Sequence, residues 1–541
     1  MDKIKHSSLK LFVILFSTFF LLGYIIYPLY KLMLMGSDVP GGIHQLVNKS
    51  LYGACLNSLT ISLLSVIGSG IIGTFFAYTL HFKKIWFKRW MSVLILLPIA
   101  IPPMVAVMSY LFLLNDNGLL SRFLGLKELH FTGWKAILTV HLYSFYPLFY
   151  LFANNAIRST DNSIVEASYM LGASKTATFF KVILPQLRPS LIGASILTFM
   201  ASMASFSAPF IFGGSTRFLT TEIYYAKING DNSIAAIYAL VLSVITLIPL
   251  LFFLWYSKKI PSAAKSKGTA KKNSLAAHKK TDILSSALSF LFTLMIMLPV
   301  LSIVLISLLP DNFLMAHEIN FSLKNYKALF KQYDLIEPFV NSVLVSLAGV
   351  LISLVVGISV GNLIRGKKNI FKSVTELVAS IPYGIPGTVI GICLILSFNE
   401  PSVFSFSSVL VGNFWILPVA YAIRNLPIIT QATKAGLQSI DPSLEEASKT
   451  MGASPVKTWR SITFPMISPF IIEAALLVFI NAFGEFVATI LLYTADTKTM
   501  PIEIYAQMRL DNNGMAATYG VVLFLIVLGI VFITRRNTNK R

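Results

Sequence analysis

Apolar residues along this chain fall in long runs that are separated by short polar segments. A helix of about 20 apolar residues crosses a hydrocarbon core of roughly 30 Å, and lipid offers no partner to unpaired backbone groups. The pattern therefore predicts an all-α integral membrane protein. We expect twelve transmembrane helices, at about residues 11–32, 54–79, 91–115, 134–156, 188–212, 234–256, 283–309, 339–363, 374–398, 405–426, 467–492 and 514–534.

The two halves of the chain repeat each other. Pro98-Ile-Ala-Ile-Pro102 recurs as Pro382-Tyr-Gly-Ile-Pro386, displaced by 284 positions, and Glu222-Ile-Tyr recurs as Glu503-Ile-Tyr, displaced by 281. Because each half has six predicted spans, an even number, both halves enter the membrane from the same side, and the repeat is parallel. We predict two homologous six-helix domains, residues 1–256 and 283–541, related by an axis along the membrane normal.

Residues 257–282 between the halves lack apolar periodicity and contain eight lysines. Such a composition predicts a flexible, basic linker. A polybasic segment beside a membrane also attracts anionic lipid, so a lipid-binding role is the alternative to a passive connection.

The chain is 55% hydrophobic and only 12% charged, but its formal net charge is +21. In a soluble protein such a charge would suggest nucleic acid. Here 32 of the 44 lysines and arginines fall in connections that share one side of the membrane if the N-terminus is cytoplasmic. By the positive-inside rule both termini are then cytoplasmic, and nucleic acid is not needed to explain the charge. The first apolar run is too long for a cleaved signal peptide.

A polar cassette is the longest match between the halves and is displaced by 280 positions. Residues 161–174 read D-N-S-I-V-E-A-S-Y-M-L-G-A-S, and residues 441–454 read D-P-S-L-E-E-A-S-K-T-M-G-A-S. Charge topology predicts that both copies lie on the cytoplasmic face.

Local chemistry predicts that each cassette folds as a short helix, a glycine turn and a second helix. In the first copy, Ser163-x-x-Glu166 is typical of a capping box. Gly172 is expected to end the helix in the left-handed conformation, and Ser174 to cap a second helix that ends before Pro185. The second copy carries the same residue types at Ser443, Glu446, Gly452, Ser454 and Pro465.

An elbow of this kind could serve architecture alone, and one copy would not decide between that interpretation and a docking surface. Two copies favour a surface that a partner contacts. The motif consists of Glu166, Ala167, Ser168, Gly172, Ala173 and Pro185 in the first copy, and of Glu446, Ala447, Ser448, Gly452, Ala453 and Pro465 in the second.

The sequence E-A-S-x-x-x-G, followed by a proline thirteen positions after the glycine, resembles the E-A-A-x-x-x-G loop of the permease subunits of bacterial ABC importers. Ser168 and Ser448 stand where the common pattern has alanine. The whole chain resembles the fused, two-domain permeases of the ferric-iron type, whose relatives import thiamine, phosphonates, polyamines and sugar phosphates.

The resemblance implies a type I ABC importer-like permease in the bacterial cytoplasmic (inner) membrane. The loops, at about 161–185 and 441–465, would be coupling loops that dock two cytoplasmic ATP-binding cassette ATPase subunits. An extracytoplasmic substrate-binding protein would deliver the substrate. ATP and Mg²⁺ would bind the ATPase subunits, so this chain would bind no cofactor and would not be an enzyme.

Polar residues within predicted spans are candidates for a translocation pathway. Glu485 lies in the predicted eleventh span, and Ser205 is its counterpart in the first half. Both could line a central cavity or take part in packing. We expect His141 to be a packing residue whose hydrogen bonds are satisfied, and Arg424 to be a charge that snorkels to the interface.

The remaining motifs do not predict an active site. Gly361 to Lys368 fits G-x-x-x-x-G-K but continues with lysine and follows a hydrophobic span, whereas a phosphate-binding loop needs a preceding strand and a hydroxyl for Mg²⁺. Cys55 and Cys393 show no metal-ligand spacing, so we predict neither a catalytic nor a metal site. The competing class is a secondary transporter or membrane enzyme that needs no ATPase, since a parallel repeat of six plus six helices alone also permits it.

Overall fold

The computed structural model describes residues 2–37, 49–116, 118–125, 130–159, 162–259, 282–310, 321–366 and 369–538. Regular secondary structure in these ranges is helical, and they contain no strand. Most of the predicted basic linker, residues 260–281, lies outside the described residues.

Ten helices among the described residues are long and apolar enough to cross a membrane. An eleventh candidate is a bent pair, Ile370–Tyr383 and Gly387–Phe398, whose axes meet at 111°. The bend falls between Pro382 and Pro386, where the missing N–H groups interrupt the helical hydrogen bonds. The ten candidates are Val13–Ser37, Ser50–Phe82, Pro103–Phe123, Gly133–Ser159, Lys175–Met203, Asn232–Tyr256, Ile283–Ser307, Tyr333–Leu363, Pro455–Phe483 and Asn513–Thr534. The third of them consists of helices Pro103–Leu114 and Leu119–Phe123.

The structure corrects the predicted tenth span. Residues 405–426 were expected to form it, but the helix is Ile416–Gln438, and it is not among the apolar candidates. Arg424 and Lys434 lower its hydropathy, while most of its residues are buried. Neighbouring protein, rather than lipid, surrounds much of this helix, so the described chain has ten or eleven candidate spans instead of twelve.

Shorter helices connect or continue these segments. They are Lys88–Leu94, Leu97–Ala100, Asn162–Met170, Ser207–Phe212, Leu219–Ile228, Lys324–Lys331, Val403–Ser405, Pro442–Thr450, Thr489–Leu492, Ala495–Thr497 and Met500–Arg509.

The chain divides into two compact units that do not follow its two halves. The first unit comprises Tyr52–Phe218 and Ile248–Ser322, and the second comprises Met1–Leu51, Leu219–Leu247 and Leu323–Arg541. The division of the sequence into homologous domains at 256 and 283 stays a prediction about the repeat.

The first unit, which holds most of the first half, contains the predicted seventh span, at about 283–309. The second unit, which holds most of the second half, contains the predicted first span, at about 11–32. In the first unit, the Ser302 hydroxyl on helix Ile283–Ser307 donates to the Ser109 carbonyl oxygen at 3.1 Å. In the second unit, the Tyr24 hydroxyl of the N-terminal helix donates to the Phe404 carbonyl oxygen at 2.8 Å.

A stripe of small residues at every fourth position lets the central helices of each unit approach closely. In the second unit, helix Tyr333–Leu363 packs on helix Ile416–Gln438, and a Cβ atom at Gly357 would lie 2.6 Å from the Ile429 side chain. The stripe consists of Gly349, Ser353, Gly357 and Gly361, and in the first unit of Ser65, Ser69, Gly73 and Ala77.

Candidate functional sites

Each unit carries one of the repeated cassettes as an elbow. We define the first elbow as residues 162–183 and the second elbow as residues 441–463. The first begins with helix Asn162–Met170 and the second with helix Pro442–Thr450. Asp161, the first residue of the predicted first coupling loop, lies outside the described residues.

The glycine at each elbow turn has the predicted left-handed conformation. Gly172 has φ = +79° and Gly452 has φ = +77°. In the first elbow the Ala173 N–H donates to the Ser168 carbonyl oxygen at 3.1 Å, and the Gly172 N–H to the Tyr169 carbonyl oxygen at 3.0 Å. This pair of bonds is a Schellman motif, which satisfies carbonyl groups at the helix end. The second elbow makes both bonds at 3.0 Å, from Ala453 to Ser448 and from Gly452 to Lys449.

The helix that follows each turn is capped as predicted. The Ser174 hydroxyl accepts from the Ala177 N–H at 3.2 Å, and the Ser454 hydroxyl accepts from the Lys457 N–H at 3.3 Å. Each cap satisfies one N–H group that has no partner within the helix. The two elbows therefore share both the turn and the start of the second helix.

The predicted capping box is wrong in the second elbow. Asp441, not Ser443, is the N-cap residue, because its carboxylate accepts from the Ser443 N–H at 2.9 Å. Pro442 then occupies the first helical position, where its missing N–H has no consequence. The helix consequently begins two residues earlier than the capping-box prediction implies.

A hydrogen bond across each elbow joins its two helices. The hydroxyl groups of Ser168 and Thr178 lie 3.0 Å apart, and those of Ser448 and Thr458 lie 2.8 Å apart. The serine that replaces alanine in the motif therefore has a structural partner. Both threonines recur at the 280-residue displacement, and this recurrence is the sequence signal for the contact, which is absent from the motif as predicted.

The second helix of each elbow does not end before the proline, as the sequence predicted. It continues through a π turn, Phe179–Ile183 or Trp459–Thr463, directly into the next span. Pro185 and Pro465 lack the N–H that an α-helix needs at that point, and a π turn can absorb such a defect without ending the helix. Elbow and span are consequently one continuous helical segment.

The tips of the elbows expose apolar side chains. Met170 is 91% exposed, Leu171 is 87% exposed, and Met451, the counterpart of Leu171, is 82% exposed. Glu166 and Glu446 are exposed as well. Large apolar side chains rimmed by polar residues are typical of a surface that contacts another protein or a membrane, so each tip is a candidate contact surface.

The second elbow carries a charged anchor that the first elbow does not have at the equivalent positions. The Glu445 carboxylate accepts from Arg365 Nη1 at 2.7 Å and from the Thr463 hydroxyl at 2.9 Å. Burial alone would raise the pKa of Glu445, but the hydrogen bonds from Arg365 and Thr463 outweigh it, and the pKa lies below its ordinary value. The first elbow has Val165 and Ile183 instead.

The two candidate pathway residues lie in equivalent helix breaks. Ser205 lies between helices Leu184–Met203 and Ser207–Phe212. Glu485 lies between Phe464–Phe483 and Thr489–Leu492, and not within a continuous span as the sequence predicted. Non-helical backbone at membrane depth is tolerated where protein buries it or where it lines an aqueous cavity.

In the first unit the break is held by a buried histidine. His141 is 2% exposed. Its Nδ1 atom lies 3.0 Å from the hydroxyl groups of both Ser65 and Ser202, and its Nε2 atom lies 2.9 Å from the Ser205 hydroxyl. The prediction of a packing histidine with satisfied hydrogen bonds is confirmed.

In the second unit the break is held by an ion pair. Arg424 Nη1 donates to the Glu485 carboxylate, which also accepts from the Ala488 N–H at 2.8 Å. The Glu485 side chain is 6% exposed and that of Arg424 is 34% exposed. The prediction that Arg424 snorkels to the interface is therefore wrong, because a nearer carboxylate compensates its charge.

The phosphate-loop candidate has no supporting structure in the described part of the chain. Helix Tyr333–Leu363, rather than a strand, precedes Gly366, while Lys367 and Lys368 lie outside the described residues. Cys55 and Cys393 are free thiols. The described residues contain no group of three histidine, cysteine or acidic side chains placed to hold a metal ion.

Comparison with known proteins gives matches over most of the chain. A family profile described as "Binding-protein-dependent transport system inner membrane component" matches residues 69–261 and 349–537. A probable ABC transporter permease protein of Sinorhizobium fredii is 25% identical over 501 residues, which cover 90% of this chain and 88% of that protein.

Two further relatives carry a substrate in their names. A ferric transport system permease protein of Actinobacillus pleuropneumoniae is 27% identical over 497 residues, covering 85% of this chain and 68% of that protein. A putative ferric transport system permease protein of Haemophilus influenzae is 28% identical over 538 residues, covering 93% of this chain and 80% of that protein.

Proposed function

Since the chain belongs to the family of binding-protein-dependent transport system inner membrane components, we propose that it forms the pathway through which an ABC importer carries ferric iron across the bacterial inner membrane. Membership establishes a multi-pass ABC importer permease with its two permease domains in one chain. The choice of ferric iron is supported by the names of two relatives that align with at least 85% of this chain.

The elbows are the proposed attachment points for two cytoplasmic ATP-binding cassette subunits. Each elbow has a Schellman turn, exposes apolar side chains at its tip and continues into a span as one helical segment. ATP can shift the equilibrium between inward-open and outward-open states only through contacts that differ between those states. Because each elbow is continuous with a span, a movement of the span also moves the docking surface, so contacts to the ATPase can differ between the two states. ATP and Mg²⁺ themselves bind the ATPase subunits.

The helix breaks at Ser205 and Glu485 are the proposed polar part of the translocation pathway. Broken helices near the membrane centre form binding sites in other transporters. Of the ion pair at the second break, Arg424 is one-third exposed whereas Glu485 is buried, so Arg424 is the side chain of this pair that a substrate could contact first. A substrate-binding protein on the outer side would deliver one cargo at a time to this region.

Uptake of radiolabelled ferric iron by cells that express the chain with its ATPase and binding protein tests the proposed substrate. We expect uptake that is lost when the chain is deleted and is not reduced by excess thiamine, phosphonate, polyamine or sugar phosphate. Iron uptake that is unaffected by deletion, together with loss of uptake of one of those competitors, would overturn the assignment of iron and leave the permease assignment intact.

A further inference from the structure

The Glu445 carboxylate lies where three segments of the second unit meet. It is carried by helix Pro442–Thr450 of the second elbow, and it accepts hydrogen bonds from Arg365, after helix Tyr333–Leu363, and from Thr463, at the start of the following span. The Glu445 side chain is 17% exposed and that of Arg365 is 31% exposed. The pair is therefore partly removed from water, where a charge-assisted hydrogen bond is stronger than at an open surface.

Arg365 is itself fixed by its surroundings. Gly366 has φ = +85° and turns the chain immediately after Arg365. The Lys372 ammonium group donates to the Arg365 carbonyl oxygen. A second ion pair nearby in sequence, Lys434 with Glu376, joins helix Ile416–Gln438 to helix Ile370–Ser380. These contacts fix the backbone at Arg365, from which its guanidinium group reaches Glu445.

The first elbow occupies the same local fold with apolar residues. Val165, at the position of Glu445, is 0% exposed, and Ile183, at the position of Thr463, is 2% exposed. Helix Asn162–Met170 contacts the π turn that contains Ile183. Apolar burial is insensitive to moderate salt, whereas an ion pair is screened by it.

We infer that Arg365 and Glu445 form an ionic latch that positions the second elbow, whereas apolar packing positions the first. The consequence for attachment rests on the proposed docking role of the elbows: attachment at the second elbow should depend more strongly on ionic strength than attachment at the first. Arg365 acts through Glu445 and is a positioning residue.

Hydrogen exchange of the full-length chain in lipid nanodiscs, without any ATPase, tests the latch directly. Peptides from residues 441–463 and 162–183 are compared in one sample, so the first elbow is the internal control. Between about 0.1 M and about 1 M salt the screening length falls from about 10 Å to about 3 Å. Because a partly buried contact pair is screened less than an exposed one, we expect exchange in the second elbow to become roughly 1.5-fold to threefold faster, with a smaller change in the first.

Substitutions separate the charge pair from general structure. Arg365→Gln and Glu445→Gln should accelerate hydrogen exchange in the second elbow by similar factors, because each removes the same ion pair. In both variants the dependence of that exchange on salt concentration should be lost. The charge exchange Arg365→Glu with Glu445→Arg should restore part of the protection and the salt dependence. Glu445→Val with Thr463→Ile, which installs the residues of the first elbow, should keep the protection and lose the salt dependence. Asp116→Asn, which removes the acidic partner of His130 in the other unit and lies outside both elbows, is the control.

Equal salt responses in the two elbows of the unaltered chain would overturn the latch, and that measurement requires no variant to fold. The outcome is independent of the proposed function, because no ATPase is present. Binding of ATPase subunits is then measured separately. Loss of a salt-sensitive component of binding in Glu445→Gln connects the latch to docking, whereas binding that is the same in Glu445→Gln at every salt concentration contradicts that connection.

Discussion

Replacing the elbow glycines by alanine should weaken ATPase binding without unfolding the permease. Gly172 and Gly452 have φ values of +79° and +77°, and a Cβ atom added at either position meets nothing within 4 Å. The cost of alanine is therefore conformational rather than steric, and a residue other than glycine in the left-handed region costs about 1–2 kcal/mol. Alanine therefore destabilises the Schellman turn beside Leu171 in the first elbow and the one beside Met451 in the second.

The loss of affinity can be worked out if the elbow must adopt the left-handed turn in order to dock, because the conformational penalty then subtracts from the binding free energy. A penalty of about 1–2 kcal/mol reduces affinity by about 5-fold to 30-fold for one elbow. For both elbows the effects should add, giving roughly 30-fold to nearly 1,000-fold, if the two sites are independent. The assay is titration of purified ATPase subunits against the chain in nanodiscs.

Asparagine is the matched control, because it tolerates the left-handed conformation better than alanine does. Gly172→Asn and Gly452→Asn should therefore weaken binding less than the alanine variants, although asparagine is larger. Unchanged affinity in the double alanine variant would refute the coupling role of the turn. Weaker binding with asparagine than with alanine would refute the conformational argument and indicate steric exclusion at the docking surface.

Three further predictions concern stability. Gly73→Ala places a Cβ atom 2.6 Å from the Tyr146 carbonyl oxygen, so it should cost about 1–3 kcal/mol and lower the Tm, whereas Gly53→Ala, which meets nothing within 4 Å, should not. Glu485→Gln leaves Arg424 without a charge partner and should destabilise the chain more than the double variant Glu485→Gln with Arg424→Gln, by an amount below the roughly 3–5 kcal/mol of a fully buried pair. Asp441→Ala removes the observed N-cap and should accelerate hydrogen exchange at the start of the second elbow.

Sequence reasoning located the features that depend on neighbours along the chain. The left-handed glycines, the serine caps and nine of the expected spans follow from local conformational preference and from runs of apolar residues, and the structure contains them. The expected third span, 91–115, is found only from Pro103 onward, because Pro98 and Pro102 interrupt the helix before it. The family resemblance, carried by the same cassette, agrees with the family match over residues 69–261 and 349–537.

Features that depend on distant partners were missed or misplaced. Asp441 competes with Ser443 for the N-cap, and the pattern alone does not rank two good capping residues. Helix Ile416–Gln438 is less apolar than a lipid-facing span because other helices bury it. Arg424 was assigned to the interface since its partner, Glu485, lies 61 positions later in the chain.

The dependence of uptake on ATP tests the central claim most directly. The complex purified from the membrane is reconstituted in proteoliposomes, with loaded binding protein outside and ATP or an ion gradient supplied as the energy source. Our account predicts that uptake requires enclosed ATP and that proton and sodium gradients alone support none. Uptake driven by a gradient without ATP would contradict it.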